Sequence, residues 1–468
     1  MDPAVVAPTR EDPVVAGLSA SVGGPLGPRA GRHPWWTPLR VLLALAAVAL
    51  VLGMVQKAPC VASSYQDGQA RYDLMCYSDL PYLYTGRGLS ELAWPWSGDP
   101  AVRERFEVLE YPVGIGYAAW GTAAVVHLVT GRPDLVARAA LPTEGMFSRP
   151  DVAVEVVAYL AVNAVVLGGA ALLTVALLSR VHRRRPWDAA GFAVAPALVM
   201  TGLVNWDLLA VACTAWALLA WSRGRPGWTG VALGVGTAVK LYPALLLGAV
   251  LVLCLRDRGR GRGARTFALT TVAGVASWAV VNLPAHVSGP EQWRVFWSFN
   301  ADRGADLGSL WLVLEQALGE GADLPLGLVN NASYAVLALW CLGVLVVGLR
   351  APEPPRLAQL GLLVLIGFLV VNKVYSPQYV LWLLPLAALA VPRWRVLLAW
   401  QAAELVYVAA VWWYLGGHLE PAGGGPAVVY WLAILLRVCA QVALAGVVVR
   451  DLLEPEHDPV REERVLLS

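Results

Sequence analysis

Apolar runs recur along nearly the whole chain, separated by short polar turns. They cover about 39–56, 152–179, 188–203, 206–222, 227–239, 241–255, 266–284, 332–349, 357–372, 377–391, 395–414 and 427–449. This predicts an all-α polytopic membrane protein with about 12 transmembrane helices. Several runs are shorter than the roughly 20 residues that cross a bilayer. The pairs meeting at Asn205 and Lys240 are therefore expected as tight hairpins whose turns lie within the membrane boundary. Residues 1–37, rich in Pro, Gly, Ala and Ser without a period, are expected to be a disordered cytoplasmic tail. The transmembrane domain is expected over 38–450, and a second cytoplasmic tail over 451–468. No signal peptide is expected, because the first apolar run starts late and no clear cleavage site follows it.

Composition strengthens the membrane reading. Of 468 residues, 58% are hydrophobic and 15% charged. Soluble domains carry about 25% charged residues. Mean hydropathy is +0.59, so lipid must be part of the solvent. A cytosolic enzyme, a disordered protein and a nucleic-acid-binding module are excluded. Net charge is only +2, so distribution matters more than balance. Arginine clusters at 180–185, 223–225, 256–265, 350–356 and 393–395 fall on alternate sides of successive spans. By the positive-inside rule both termini are cytoplasmic. Tyr111–Thr130 is apolar enough to cross, but crossing alone would move the 180–185 cluster outside. It is expected as a surface helix in a first outer loop, 57–151. A second large outer loop covers 285–331.

Cys60 and Cys76 share the first outer loop, where a disulfide is permitted; a bridge is favoured over two free thiols. The other cysteines fall in spans. There is no phosphate loop: Gly230–Gly236 has the glycines but no Lys-Ser/Thr, and its small residues suit close helix packing. Six scattered histidines form no metal-ligand spacing, so no metal site is expected.

Ionisable groups at membrane depth are costly and mark function. Asp79, in Cys-Tyr-Ser-Asp-Leu-Pro, is either the cap of a surface helix or a general base at the water–lipid boundary. Glu110 and Tyr111 open the next helix, where a carboxylate suits the N-terminus. Asn205 and Asp207 flank Trp206 at a turn, as a polar turn or a buried acid that needs a partner. The chain has three lysines, Lys57, Lys240 and Lys373. Two of them stand at outward turns: Lys240 with Tyr242, and Lys373 with Tyr375 and Gln378. Snorkelling explains one such lysine; a phosphate held near the outer leaflet explains the pair better. Arg303 would add a phosphate contact or pair with Asp302 or Asp306. Arg437, inside the last span, needs a buried carboxylate or a phosphate.

This order of short motifs resembles the GT-C superfamily, and most closely glycosyltransferase family 87, whose actinobacterial members use polyprenol-phosphate mannose. The resemblance extends over roughly 38–450. It implies a GT-C-like bundle and transfer of a sugar, mannose by analogy, from a polyprenyl-phosphate donor to a lipid or cell-envelope glycan acceptor. It implies Asp79 as catalytic base, inversion by single displacement, no cofactor, and an extracytoplasmic active face on the plasma membrane. Where the family often has Tyr-Pro-Pro, this chain has Tyr111-Pro112-Val113. The competing class is a multi-span transporter or lipid flippase. Such proteins often carry inverted repeats, and no internal repeat is visible here.

Overall fold

The computed structural model describes residues 12–22, 35–257, 261–319, 323–419 and 427–461. Arg258 and Arg260 of the expected cytoplasmic cluster lie outside them, as do most of the tail residues 1–37 and the last seven residues. Every regular element among the described residues is helical. Six helices are long and apolar enough to cross a membrane: Pro38–Ala62, Pro150–Leu178, Arg262–Ser288, Leu326–Arg350, Trp394–Leu415 and Val428–Leu453. Shorter apolar helices include Val113–Val129, Asp207–Ser222, Tyr242–Arg256, Leu357–Val371 and Pro377–Ala390. The long helices leave apolar side chains such as Val51, Val55, Val272 and Leu339 exposed, as lipid-facing surfaces require.

Three expectations change. The run at 188–203 is not one span. It is built of the short pieces Pro186–Ala189, Ala190–Ala193 and Pro196–Thr201. Pro196 has no N–H to continue the helix, and Ala195 before it is extended (ψ 122°). The first span continues through Lys57 and Cys60 to Ala62, so those two residues belong to a helix and not to the loop. Within the expected tail, Pro13–Val22 is helical, and the Asp12 carboxylate accepts from the Trp394 backbone N–H.

Val113–Val129 stays beside one end of Pro150–Leu178. The Ala119 carbonyl accepts from Tyr159, Thr122 donates to Asn163, and His127 meets Tyr84, which donates to Glu155. The middle and C-terminal part of this helix thus face the first half of its neighbour. The arginine clusters meet at the other end of the bundle. There Arg223 donates to the Arg180 carbonyl, Arg256 to Gly348, Arg356 to Asp458 and Arg393 to Asp451. Asp451 and Asp458 are fully buried in these pairs, so the C-terminal segment is docked onto the bundle.

Small residues set the tightest helix contact. A Cβ at Gly230 would lie 2.1 Å from the Thr270 carbonyl oxygen, and one at Gly234 2.1 Å from that of Gly274. Backbones approach there as in other small-residue membrane interfaces.

Candidate active site

A cavity of about 580 Å³ opens at the end of the bundle opposite the arginine clusters. The turn after Cys76 forms one wall. Cys60 and Cys76 are disulfide-bonded, with Cα atoms 5.8 Å apart. From the same turn of the Pro38–Ala62 helix, Gln56 donates to the Met75 carbonyl and Lys57 to that of Tyr77. The next residues lock onto a second chain segment: Ser78 donates to the Leu203 carbonyl (2.7 Å), and the Asp79 N–H to that of Val204 (2.8 Å).

Ser78 is also the N-cap of Asp79–Gly86, its Oγ accepting from Leu80. Capping is therefore not the task of Asp79. The carboxylate turns into the cavity instead, where Oδ2 accepts from Asn205 at 2.7 Å and from the Tyr111 hydroxyl at 3.4 Å. Asn205 holds both, since its Nδ2 also donates to Tyr111. Burial pushes the Asp79 carboxyl above the ordinary carboxylate range, against the pull of bonds from Tyr77 and Asn205 and the charge of Lys240. A buried carboxylate that holds a proton more tightly is suited to accept one.

Asp207 is a buried acid with partners rather than a polar turn. Its two oxygens accept from Trp382 Nε1 at 2.6 Å and Lys240 Nζ at 3.4 Å. Lys240 also lies over the rings of Tyr111 (5.2 Å) and Tyr379 (5.9 Å). It lines the cavity on the Asp79 side. Tyr242 stacks on Trp382 at 4.7 Å and accepts from Thr214. Glu110 also lines the cavity, but it forms a two-pronged pair with Arg87 (2.9 and 3.1 Å) and does not cap the following helix.

Two further cations line the same cavity. Lys373 Nζ donates to the carbonyls of Asn300 (3.1 Å) and Ala301 (3.3 Å), at the C-terminal end of Pro290–Asp302. A cation is favoured there by the helix dipole. Arg303 pairs with Asp306 through Nε at 2.8 Å, one of the alternatives its sequence offered. Both cations still line the cavity. Burial, and then the charge of Arg303, hold the Lys373 ammonium below its usual range. Two neighbouring cations that line one cavity and repel each other are a ready anion site.

The two outward lysines thus occupy separate stations. Lys240 stands beside the carboxylates, and Lys373 beside Arg303. Gln378 lines the cavity, and its buried Oε1 has no hydrogen-bond partner among the described residues. Tyr375 differs from expectation: its hydroxyl donates away from the cavity, to Glu404 at 2.9 Å inside the bundle. A direct substrate contact by that side chain gives way to an internal one.

Sequence reasoning missed Tyr77, which bonds Asp79 and lines the cavity. It also missed Lys57, Trp382 and Glu404. The scarcity of lysine was a signal for Lys57, and a lone acid in an apolar run was one for Glu404.

An all-helical membrane bundle with a buried carboxylate and cations around one cavity defines the class. The chain belongs to glycosyltransferase family 87, whose model matches residues 139–371. It is a membrane glycosyltransferase. The match includes Asn205, Asp207, Lys240, Tyr242 and Arg303; Asp79, Glu110, Tyr111, Lys373, Tyr375 and Gln378 lie outside it. Among solved structures, ArnT from Cupriavidus metallidurans bound to undecaprenyl phosphate is similar over 91% of this chain and 75% of that one. Identity is 18% and the TM-score 0.43. No curated protein sequence matches the chain.

Proposed function

We propose that the chain transfers a sugar, mannose by family analogy, from a polyprenyl-phosphate donor to a hydroxyl of a lipid or cell-envelope glycan, on the extracytoplasmic face of the plasma membrane. The observation that carries this reading is one cavity lined by a buried carboxylate and by two mutually repelling cations. The donor's phosphate would lie against Lys373 and Arg303. Apolar side chains between them and the lipid-facing helices, Leu337 and Phe368 among them, suit a polyprenyl tail. A lipid-borne donor needs no nucleotide-binding motif, and the sequence has none.

The step is a single displacement. The acceptor oxygen forms a bond to the anomeric carbon as the bond from that carbon to the phosphate oxygen breaks. The leaving electron pair stays on polyprenyl phosphate, where the cations stabilise it. The acceptor proton passes to Asp79 Oδ2. Asn205 and Tyr111 fix that oxygen, and Lys240 offsets the charge of the neighbouring acids. Configuration at the anomeric carbon inverts. The arginine-lined end faces the cytoplasm by the positive-inside rule.

Purified protein in liposomes should transfer label from polyprenyl-phosphate mannose to an extracted envelope-lipid fraction and leave GDP-mannose unused. Use of the nucleotide sugar with no use of the lipid-linked one would sink the reading.

A further inference from the structure

Arg303 and Lys373 sit on two loops, and those loops are paired. The Asp306 N–H donates to the Lys373 carbonyl and the Tyr375 N–H to that of Leu307, both at 2.8 Å. The pairing sets the spacing between Arg303 and Lys373. What fixes the pair in turn is a buried set of side chains from the last two long helices. Arg437, 1% exposed, donates to the Gly308 carbonyl at 2.8 Å and lies over the Tyr375 ring at 3.6 Å. Tyr430 accepts from the Gly308 N–H, and Tyr407 donates to the Tyr375 carbonyl at 2.5 Å. Glu404, fully buried, faces the Arg437 charge and accepts from Tyr375, Trp400 and Gln441.

Gly308 completes the joint. Its φ is +74°, and a Cβ there would lie 2.0 Å from the Tyr407 hydroxyl. Only glycine lets the loop press this closely on the helices. A buried guanidinium is an expensive way to hold a loop: Nη2 donates to Gly308, while Nε and Nη1 have no hydrogen-bond partner among the described residues. A purely structural anchor would be served by apolar packing.

We propose that Arg437, braced by Glu404, is a positioning residue for the donor phosphate: it holds the paired 306–308 and 373–375 segments so that Arg303 and Lys373 converge on one anion. The inference rests on the phosphate reading of those two cations. It follows that Arg437 and Lys373 act as one unit, so their effects on phosphate binding should not add.

The probe is undecaprenyl phosphate, titrated by calorimetry against the full-length protein in detergent. Lys373→Ala should weaken binding about tenfold. Arg437→Met should weaken it to a similar extent and Arg437→Lys less. The double variant should be no weaker than the worse single one. Transfer assays on Arg437→Met should show a raised donor KM with acceptor KM unchanged. If Arg437→Met does not fold, Tyr430→Phe, which removes the acceptor of the Gly308 N–H and the hydroxyl contact with Tyr407, should weaken binding two- to threefold in the wild-type background and not in Lys373→Ala. Wild-type affinity in the Arg437 or Tyr430 variant, or full additivity with Lys373→Ala, overturns the positioning role and leaves the phosphate site standing. Wild-type affinity in Lys373→Ala removes the phosphate reading, and the inference with it.

Discussion

At the residue scale, the decisive observation is which side chain does which task at the turn of 77–79. Ser78 caps the short helix, so Asp79 is free of that task and is held by Asn205 and Tyr111 in the cavity. The raised Asp79 carboxyl and the lowered Lys373 ammonium predict a narrowed bell for kcat/KM. A base must be ionised to accept a proton, so activity should fall on acidification, with its acid limb above the usual carboxylate value of about 4. A phosphate-holding lysine must be protonated, so the alkaline limb should lie below the usual lysine value of about 10.4. An acid limb at or below the usual carboxylate value, or an alkaline limb at or above the usual lysine value, would argue against the corresponding group taking part. Sequence alone flagged both residues because charge is scarce in this chain. It could not separate Asp79 from the cap beside it, since Ser and Asp are equally good caps.

At the element scale, helix length and turn position follow from hydrophobic pattern and proline. The runs that began with a usable N1 proline, such as Pro150 and Pro226, became single helices. The run at 188–203 broke because proline falls inside it. Arg437 stood out as a buried cation in need of a partner, but Glu404 escaped notice for a different reason: it sits in an otherwise apolar run, and its closeness to Arg437 arises only when Trp394–Leu415 packs on Val428–Leu453. Pairing of the 306 and 373 loops, 67 residues apart in number, was likewise invisible to local pattern. The glycine contact between Pro226–Val239 and Arg262–Ser288 carries its own prediction. Gly234→Val should force the backbones apart and cost about 1–3 kcal/mol, read as a lower melting temperature in detergent. An unchanged melt would show that the two helices do not need this approach.

At the scale of the whole molecule, chemistry and orientation are sorted to opposite ends. The carboxylate–cation cavity is at one, and the arginine clusters, docked by Asp451 and Asp458, are at the other. On the proposed reading, positive-inside bias puts the cavity on the extracytoplasmic face. In a background without the exposed native thiol Cys439, a membrane-impermeant maleimide should label Ala101→Cys in intact cells and Arg184→Cys only after permeabilisation. The reverse pattern would invert the topology. The proposed entry of a lipid-linked donor from that face would also account for the few charges of so apolar a chain gathering around one cavity.

The central claim is that Asp79 takes the acceptor's proton, and turnover of Asp79→Asn tests it most directly. General-base catalysis contributes about 10²–10⁴-fold, so transfer from a polyprenyl-phosphate sugar should fall by at least about 10²-fold. Stability should not fall with it. A carboxyl whose folded pKa is raised loses its stabilising contribution as pH rises through that value, so at neutral pH the uncharged amide should melt at the same temperature or higher. A well-folded Asp79→Asn protein with wild-type turnover would contradict the account.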